Sequence, residues 1–409
     1  MIRPSRAAFA FIFITVALDM LALGIIIPVL PKLVVAFEGG DVAHAARIVG
    51  VFGFAWAAMQ FLASPLVGAL SDRFGRRPVV LLSNLGLGLD YSVMAMAPSV
   101  SWLFVGRIIS GITSSSFPTA SAYVADVTPP GQRAAKFGLL GAAFGLGFII
   151  GPAVGGILGD IDLRLPFWVA GGLSLANAAY GYFILPESLP PERRARVPWH
   201  MANPLGSLSF LRAHPELLAL GATFFLYYFA HEVYPTLFVL YGDYRYAWSA
   251  RELGLSLALL GVGSTITSAF LIGPIVTRIG ERNAMIVGLS LSAASALAIA
   301  LAYTGTLFLL SIPLASLGGL SSPSLMSIAS RQASETEQGR LQGAIGSLQG
   351  IALMIAPLVH SQIFASAIQR GGQTFAGVPF AFASLVLLMA LLLAARATRV
   401  IRVSGSSAA

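Results

Sequence analysis

The chain has 409 residues, 56% of them hydrophobic and only 10% charged, with a formal net charge of +8. A soluble domain carries roughly a quarter of its residues as Asp, Glu, Lys and Arg, so a chain this poor in charge cannot cover its exterior with water-compatible surface. Soluble enzymes, nucleic-acid-binding proteins and disordered regulators are therefore excluded. The sequence contains no cysteine, which removes disulfides, thiolate metal sites and a catalytic thiol. Its histidines, His44, His200, His214, His231 and His360, fall at no metal-ligand spacing.

A hydrocarbon core takes roughly 20 apolar residues per helix, and stretches that are apolar at every position, such as 386–395, read as helices rather than alternating barrel strands. Twelve spans are predicted at 8–31, 45–67, 78–98, 100–124, 134–159, 165–185, 212–238, 252–277, 283–303, 305–329, 341–367 and 375–395. The fold class is thus an all-α integral membrane protein. With loops assigned alternately to the two sides, most basic residues, among them Arg3, Arg73, Arg133, Arg193, Arg278, Arg340 and Arg399, fall on one side. The positive-inside rule makes that side cytoplasmic, together with both termini.

In span one, Arg3 and Arg6 precede the apolar run as they would in a signal peptide. The run is too long, contains Asp19, and reaches Pro28 without a small-residue cleavage site, so a retained helix is expected. Asp19 lies about 16 Å from the cytoplasmic end by helical rise. A carboxylate at that depth costs a few kcal/mol unless it faces a cavity or a partner. It reads either as a proton or cation-substrate site, or as a structural partner of a neighbouring Arg or hydroxyl. Span two contributes Gln60, a polar candidate for the wall of a substrate cavity.

The loop between spans two and three holds Gly68, Asp72, Arg73, Gly75, Arg76 and Arg77. It reads as a cytoplasmic gate, with Asp72 meeting the positive end of a helix dipole or pairing with Arg133, and with Asp126 and Arg133 in the same network. A solvated charged loop accounts for the arginines but not for the glycines. Asp90 in span three and Arg107 in span four share a depth, so an ion pair between them is plausible; Arg107 alternatively pairs with Asp19 and releases it on protonation. In span five, Gly147, Gly151, Gly155 and Gly156 recur along one face, with Pro152 as a kink. From spacing alone, tight helix packing suffices to explain them.

The stretch Pro186–Ser207 is rich in Pro and Arg, which is linker chemistry. It divides the chain into a six-helix bundle over 1–185, a linker over 186–211 and a second bundle over 212–409. The halves resemble each other: Gly68-x4-Arg73-x-Gly75-x-Arg77 recurs 205 residues later as Gly273-x4-Arg278-x-Gly280-x-Arg282, and Pro118/Pro323 and Pro152/Pro357 share that offset. Such repeats build a central site between halves in many transporters. The second copy has Thr277 in place of Asp72, so a weaker lock is expected there. In span seven, Glu232 stands beside His231, with Tyr227, Tyr228 and Tyr234 nearby. These residues, with Gln349 and His360 of span eleven, are candidates for a cavity that takes an amphipathic or cationic organic molecule. The alternatives are an interfacial aromatic belt for the tyrosines and a helix–helix hydrogen bond for His360.

The run from Gly68 to Arg77 resembles the signature loop of the major facilitator superfamily. Gly147-Phe-Ile-Ile-Gly151-Pro152-Ala-Val-Gly155-Gly156 resembles the antiporter motif of its drug:proton exchangers. Leu18-Asp19 with Gly24, Pro28 and Pro31, then Leu89-Asp90-Tyr91, Gly106-Arg107, Ala125-Asp126 and Leu341-Gln342-Gly343, are similar to the tetracycline-efflux proteins. The resemblance implies two pseudo-symmetric six-helix bundles, a location in the bacterial inner membrane and a working monomer. It also implies that the span-five motif limits proton leak. There are departures: span nine carries Ser290, Ser292 and Ser295 where the namesakes have an acid, and Glu232 stands where they are uncharged.

The reading is a secondary active transporter that exports an amphipathic small molecule, tetracycline-like compounds included, in exchange for protons by alternating access. The expected partners are that substrate, protons and membrane lipid, with no nucleic acid, cofactor or metal. Proton-coupled uptake or facilitated passage of a metabolite is the alternative, and a receptor or scaffold is a third reading that the intramembrane Asp19, Arg107 and Glu232 argue against. No enzyme motif is present, and the absence of GxxxxGK[ST] excludes a phosphate-cradling loop and with it ATP hydrolysis as the energy source.

Overall fold

The computed structural model describes residues 6–113, 116–194, 206 and 208–406; the expected linker residues 195–205 and 207 lie outside that range. No strand occurs among the described residues. Span one forms α1 (Arg6–Ile26) and α2 (Leu30–Phe37), parted around Pro28, with Pro31 in the first turn of α2 where its missing N–H costs nothing. There follow α3 (Val42–Phe74), α4 (Arg76–Met96), α5 (Val100–Thr113), α6 (Ser116–Val127), α7 (Arg133–Ile161) and α8 (Leu165–Ile184). The second half begins with the short α9 (Leu208–Ala213), then α10 (Pro215–His231) and α11 (Val233–Tyr246). A π-helical turn, Thr267–Leu271, joins α12 (Ala250–Ile266) to α13 (Ile272–Ile279). The remaining helices are α14 (Glu281–Leu301), α15 (Gly305–Gly318), α16 (Ser321–Ser330), α17 (Gln338–Gly371) and α18 (Val378–Ser406).

Among the described residues, nine helices, some counted across a break, are long and apolar enough to cross a membrane. The described residues of the expected spans four, six and seven are helical but fall outside those nine; span four is described only over 100–113 and 116–124. Asn177 and the tyrosines of α8 lower its hydropathy, and Glu232 interrupts span seven between α10 and α11.

Two compact units divide the chain. One takes the described parts of Met1–Gly40, Ala55–Asn203 and Trp248–Ala258; the other takes Asp41–Phe54 and the described parts of Pro204–Ala247 and Leu259–Ala409. Trp248–Ala258 thus belongs to the first unit and Asp41–Phe54 to the second, and in each the segment is seated through a glycine. In the first unit, a Cβ on Gly254 would lie 2.1 Å from the Pro152 carbonyl oxygen. In the second, a Cβ on Gly50 would lie 2.8 Å from the carbonyl oxygen of Pro357, the repeat partner of Pro152. Only residues without a side chain permit this approach.

The repeat extends to backbone conformation. Gly75 (φ 109°) and Gly280 (φ 79°) immediately precede α4 and α14, in the left-handed region that glycine enters at little cost. The first unit's core gathers Phe9, Ile12, Val16, Val80, Tyr123 and Leu140 from α1, α4, α6 and α7. In the second, Tyr241 packs against Phe308 and Phe380, and its hydroxyl donates to the Ile299 carbonyl at 2.8 Å. The outside is apolar too: Leu82, Phe183, Leu310 and Leu385 are exposed, as suits a lipid-facing surface.

Candidate functional site

Asp19, on α1, is buried (5% exposed) and is held by side chains from two other helices. The Asn177 amide of α8 donates to its Oδ1 at 3.0 Å and to the Thr15 carbonyl at 2.9 Å. Asn84 of α4, its amide turned to donate, brings its nitrogen within 2.9 Å of both Asp19 oxygens, while its own oxygen accepts from Asn177 at 3.1 Å. Both asparagines are fully buried. An amide both donates and accepts, so the clamp can serve either protonation state of the carboxyl. The Asn177 oxygen is buried with no hydrogen-bond partner. Asn84 and Asn177 were not singled out in the sequence; the available signal was an amide set among apolar neighbours in a membrane span.

Asp90 and Arg107 act on each other electrostatically but share no hydrogen bond. Both carboxylate oxygens of Asp90 are buried without a hydrogen-bond partner, as is the Nε of Arg107. The guanidinium instead lies over the Trp56 ring, 5.4 Å from its centroid, a cation–π contact available to a half-buried arginine. Gly106 leaves room for the carboxylate: a Cβ there would stand 2.8 Å from Asp90 Oδ1. The three charges still share one neighbourhood, since Asp90, Arg107 and Asp19 all act electrostatically on Tyr91.

In the second unit the chain breaks at Glu232 because Pro235 cannot continue the hydrogen-bond ladder to the turn before it. Tyr227 and Tyr228 meet edge-on at 5.4 Å, and the His231 ring lies 5.8 Å from Tyr227 and 5.5 Å from Tyr234. The Tyr228 hydroxyl is 3.3 Å from Ser322 Oγ. Tyr227 and Tyr234 are buried, whereas His231 is exposed and Glu232 half-buried. Tyr228, Gln60 and Gln349 also keep part of their surface open. His360 does not: its ring is wholly buried between Phe229 and Phe382, with neither nitrogen hydrogen-bonded, so it neither reaches open space nor makes the expected helix–helix hydrogen bond. The serines that replace the span-nine acid are partly committed to packing. Ser295 Oγ donates to the Ser311 carbonyl at 3.2 Å, and Ser292 Oγ would lie 2.3 Å from a Cβ on Gly318.

At the signature loop, Arg76 is the hub. Its guanidinium meets Asp72 at 2.6 Å and Asp126 at 3.2 Å, and donates to Ser71 Oγ at 2.8 Å. Arg133 lies outside this network, contrary to expectation: its Nε donates to the Thr128 carbonyl at 3.3 Å, a bond within its own chain turn. Arg73 stacks on the adjacent Phe74 ring, and a side chain at Gly68 would meet open space. Arg77 donates to the Tyr182 carbonyl.

Glu187, assigned above to the linker, completes the loop. Its carboxylate accepts from the backbone N–H of Arg76 at 2.9 Å and of Arg77 at 3.3 Å, so an acid from after α8 caps the start of α4, where the helix dipole favours negative charge. A Cβ on Gly75 would lie 2.3 Å from Glu187 Oε2, so this glycine serves both the turn and the cap. Replacing Glu187 with alanine is expected to cost about 1–2 kcal/mol, the range of a lost N-cap, read as a lower unfolding temperature of the purified protein.

The span-five glycines face two neighbours. A Cβ on Gly147 would meet Met20 at 2.5 Å, and one on Gly151 would meet Gly24 Cα at 2.6 Å. A Cβ on Gly155 would lie 1.9 Å from the Ile25 carbonyl oxygen, and one on Gly156 would lie 2.4 Å from that of Ala250. With Pro152 inside α7, the motif therefore seats α1 and the start of α12.

The family model described as Major Facilitator Superfamily matches residues 12–357 and 222–407. The chain is 40% identical over 366 residues to the tetracycline resistance protein, class C, of Escherichia coli, covering 88% of this chain and 91% of that one. Among solved structures, the human organic anion transporter MFSD10 is similar with a TM-score of 0.69 and 27% identity, over 95% of this chain and 99% of that one. The nucleoside transporter NupG shares the fold at a TM-score of 0.80 and 14% identity, over 95% and 99%.

Proposed function

Since the chain belongs to the major facilitator superfamily, in its group of tetracycline resistance proteins, we propose that it exports tetracycline-like amphipathic compounds across the bacterial inner membrane in exchange for protons. The observation that carries this reading is the Asp19 carboxyl inside its clamp of two amides, a proton-binding group placed in an apolar bundle. Buried ionisable groups of this kind mark ion pathways. Asp90 and Arg107 form the rest of the coupling cluster. Within the second unit, Tyr227, Tyr228, His231 and Glu232 hold the substrate with Gln349, the aromatic faces suiting a polycyclic, partly cationic compound, and Gln60 is the first unit's own candidate for substrate contact. The signature-loop network of Asp72, Arg76 and Asp126 gates the cytoplasmic end. Both termini are cytoplasmic, consistent with the skew of the basic residues, and the protein works as a monomer in lipid.

Everted membrane vesicles test this directly. Tetracycline is expected to accumulate when respiration acidifies the vesicle interior, and to leak out when a protonophore is added. Entry that only equilibrates across the membrane and is unchanged by the protonophore replaces exchange with facilitated passage, and absence of uptake for any tetracycline overturns the substrate assignment.

A further inference from the structure

We propose that Glu281 and Arg331 form a second gate pair, the charge-reversed counterpart of Arg76 and Asp126, which joins the ends of α14 and α16. Thr277, which replaces Asp72 in the repeat, is turned back onto its own helix, donating to the Gly273 carbonyl at 2.9 Å. The second copy is not left open. The 205-residue offset that relates Gly75 to Gly280 also carries Arg76 onto Glu281 and Asp126 onto Arg331. Arg331 Nη2 meets Glu281 Oε1 at 2.6 Å, and the same oxygen accepts from Ser327 Oγ at 2.7 Å. Each half therefore ties the start of its third helix to the end of its fourth by one salt bridge, with opposite polarity.

The reversal accounts for an asymmetry between the halves. A helix start favours an anion and a helix end a cation. Glu281 in the first turn of α14 and Arg331 just past α16 obey both preferences. Arg76 at the start of α4 and Asp126 in the last turn of α6 violate both, and there Glu187 is brought in from after α8 to supply the missing anion. The corresponding position in the second half is Leu392, and no third acid is needed because Glu281 is itself the anion at the helix start and pairs with Arg331. Arg331 is largely exposed, so such a pair adds little to overall stability. Its role is positional: it holds two helix ends in one register while the half moves. That gating role rests on the export reading above, whereas the joining of α14 to α16 does not.

The test compares Glu281→Gln, Arg331→Gln and the exchanged double variant Glu281→Arg/Arg331→Glu, each reconstituted in lipid. Hydrogen exchange of the backbone amides at 281–284 and 327–331 is expected to quicken in both single variants and to slow again in the double. This readout requires no transport. In tetracycline export, the single variants are expected to lower kcat about tenfold with KM unchanged, and the double to recover to within about threefold of the parent. Exchange unaltered in the single variants overturns the pair whether or not the parent exports tetracycline. With exchange altered as expected, kcat at the parent value in the single variants, or a double variant as slow as the singles, overturns the gating role. A parent that moves no tetracycline overturns the substrate reading and leaves the pair to be decided by exchange.

Discussion

Asp19→Asn is expected to abolish uphill export while leaving the protein folded and inserted. Asparagine keeps the shape of the side chain and retains an oxygen for the Asn177 amide, now 3.0 Å from Asp19 Oδ1, so that arm of the clamp survives, while the new amide nitrogen faces Asn84, which must turn its oxygen toward it. What disappears is the group that binds and releases a proton. Each unit of pH across the membrane is about 1.4 kcal/mol and supports about a tenfold substrate gradient per proton exchanged. In the variant the accumulation ratio falls to about one, measured as labelled tetracycline in vesicles against a fixed pH gradient. A ratio equal to the parent's would remove Asp19 from the coupling step. Asn84→Leu and Asn177→Leu are weaker tests of the same idea, because each removes a hydrogen bond and a buried amide together.

The second large effect is steric. Gly155→Val is expected to prevent α1 from seating on α7, since the added Cβ would lie 1.9 Å from the Ile25 carbonyl oxygen, a backbone atom that cannot rotate away. Overpacking a tight contact costs about 1–3 kcal/mol when side chains can adjust, and here the backbone itself must move. The measurement is the amount of protein recovered from the membrane together with its unfolding temperature. Gly141→Ala on the same helix is the control: nothing lies within 4 Å of a Cβ there, so alanine's higher helix propensity, about 1 kcal/mol over glycine, makes that variant neutral or slightly stabilising. Equal losses in both variants would show that α7 tolerates no substitution anywhere, and the close approach to α1 would then explain nothing.

The contrast between these two glycines shows what was legible in the sequence. Membrane spans announce themselves because lipid forces long apolar runs, and the loop from Gly68 to Arg77 is distinctive because its glycines and charges occur together. Which glycine in α7 carries the packing could not be read, since Gly141 and Gly155 differ only in what stands opposite. The same limit applied to the charges. Asp19 stood out as a carboxylate in a hydrophobic helix, but Asn84 and Asn177, uncharged and remote in sequence, gave no comparable signal until three helices brought them together. The ion pair expected of Asp90 and Arg107 rested on shared depth, which fixes height along the membrane and leaves direction around the helix axis open. Arg107 lies over the Trp56 ring while still acting electrostatically on Asp90. Glu187 lay hidden in a stretch whose prolines and arginines read as linker, although its role is to cap α4.

The gate shows the reverse case, in which an internal comparison carried more than a motif. The motif's own positions, with Thr277 in place of Asp72, predict a weaker second lock. Following the 205-residue offset beyond the motif brings Glu281 and Arg331 into the place of Arg76 and Asp126, and the contact at 2.6 Å follows. Charge pairs of this kind are constrained as pairs, so either polarity satisfies the geometry while helix dipoles decide which polarity needs help.

The most direct test of exchange is proton movement itself. Purified protein is reconstituted in vesicles containing a pH-sensitive dye, and tetracycline is added outside with no initial pH gradient. The account predicts an immediate pH change inside the vesicles as substrate enters and protons leave, absent with Asp19→Asn and absent in protein-free vesicles. Tetracycline entry with no proton signal from the parent protein, or a signal of parental size from Asp19→Asn, would contradict proton exchange through Asp19.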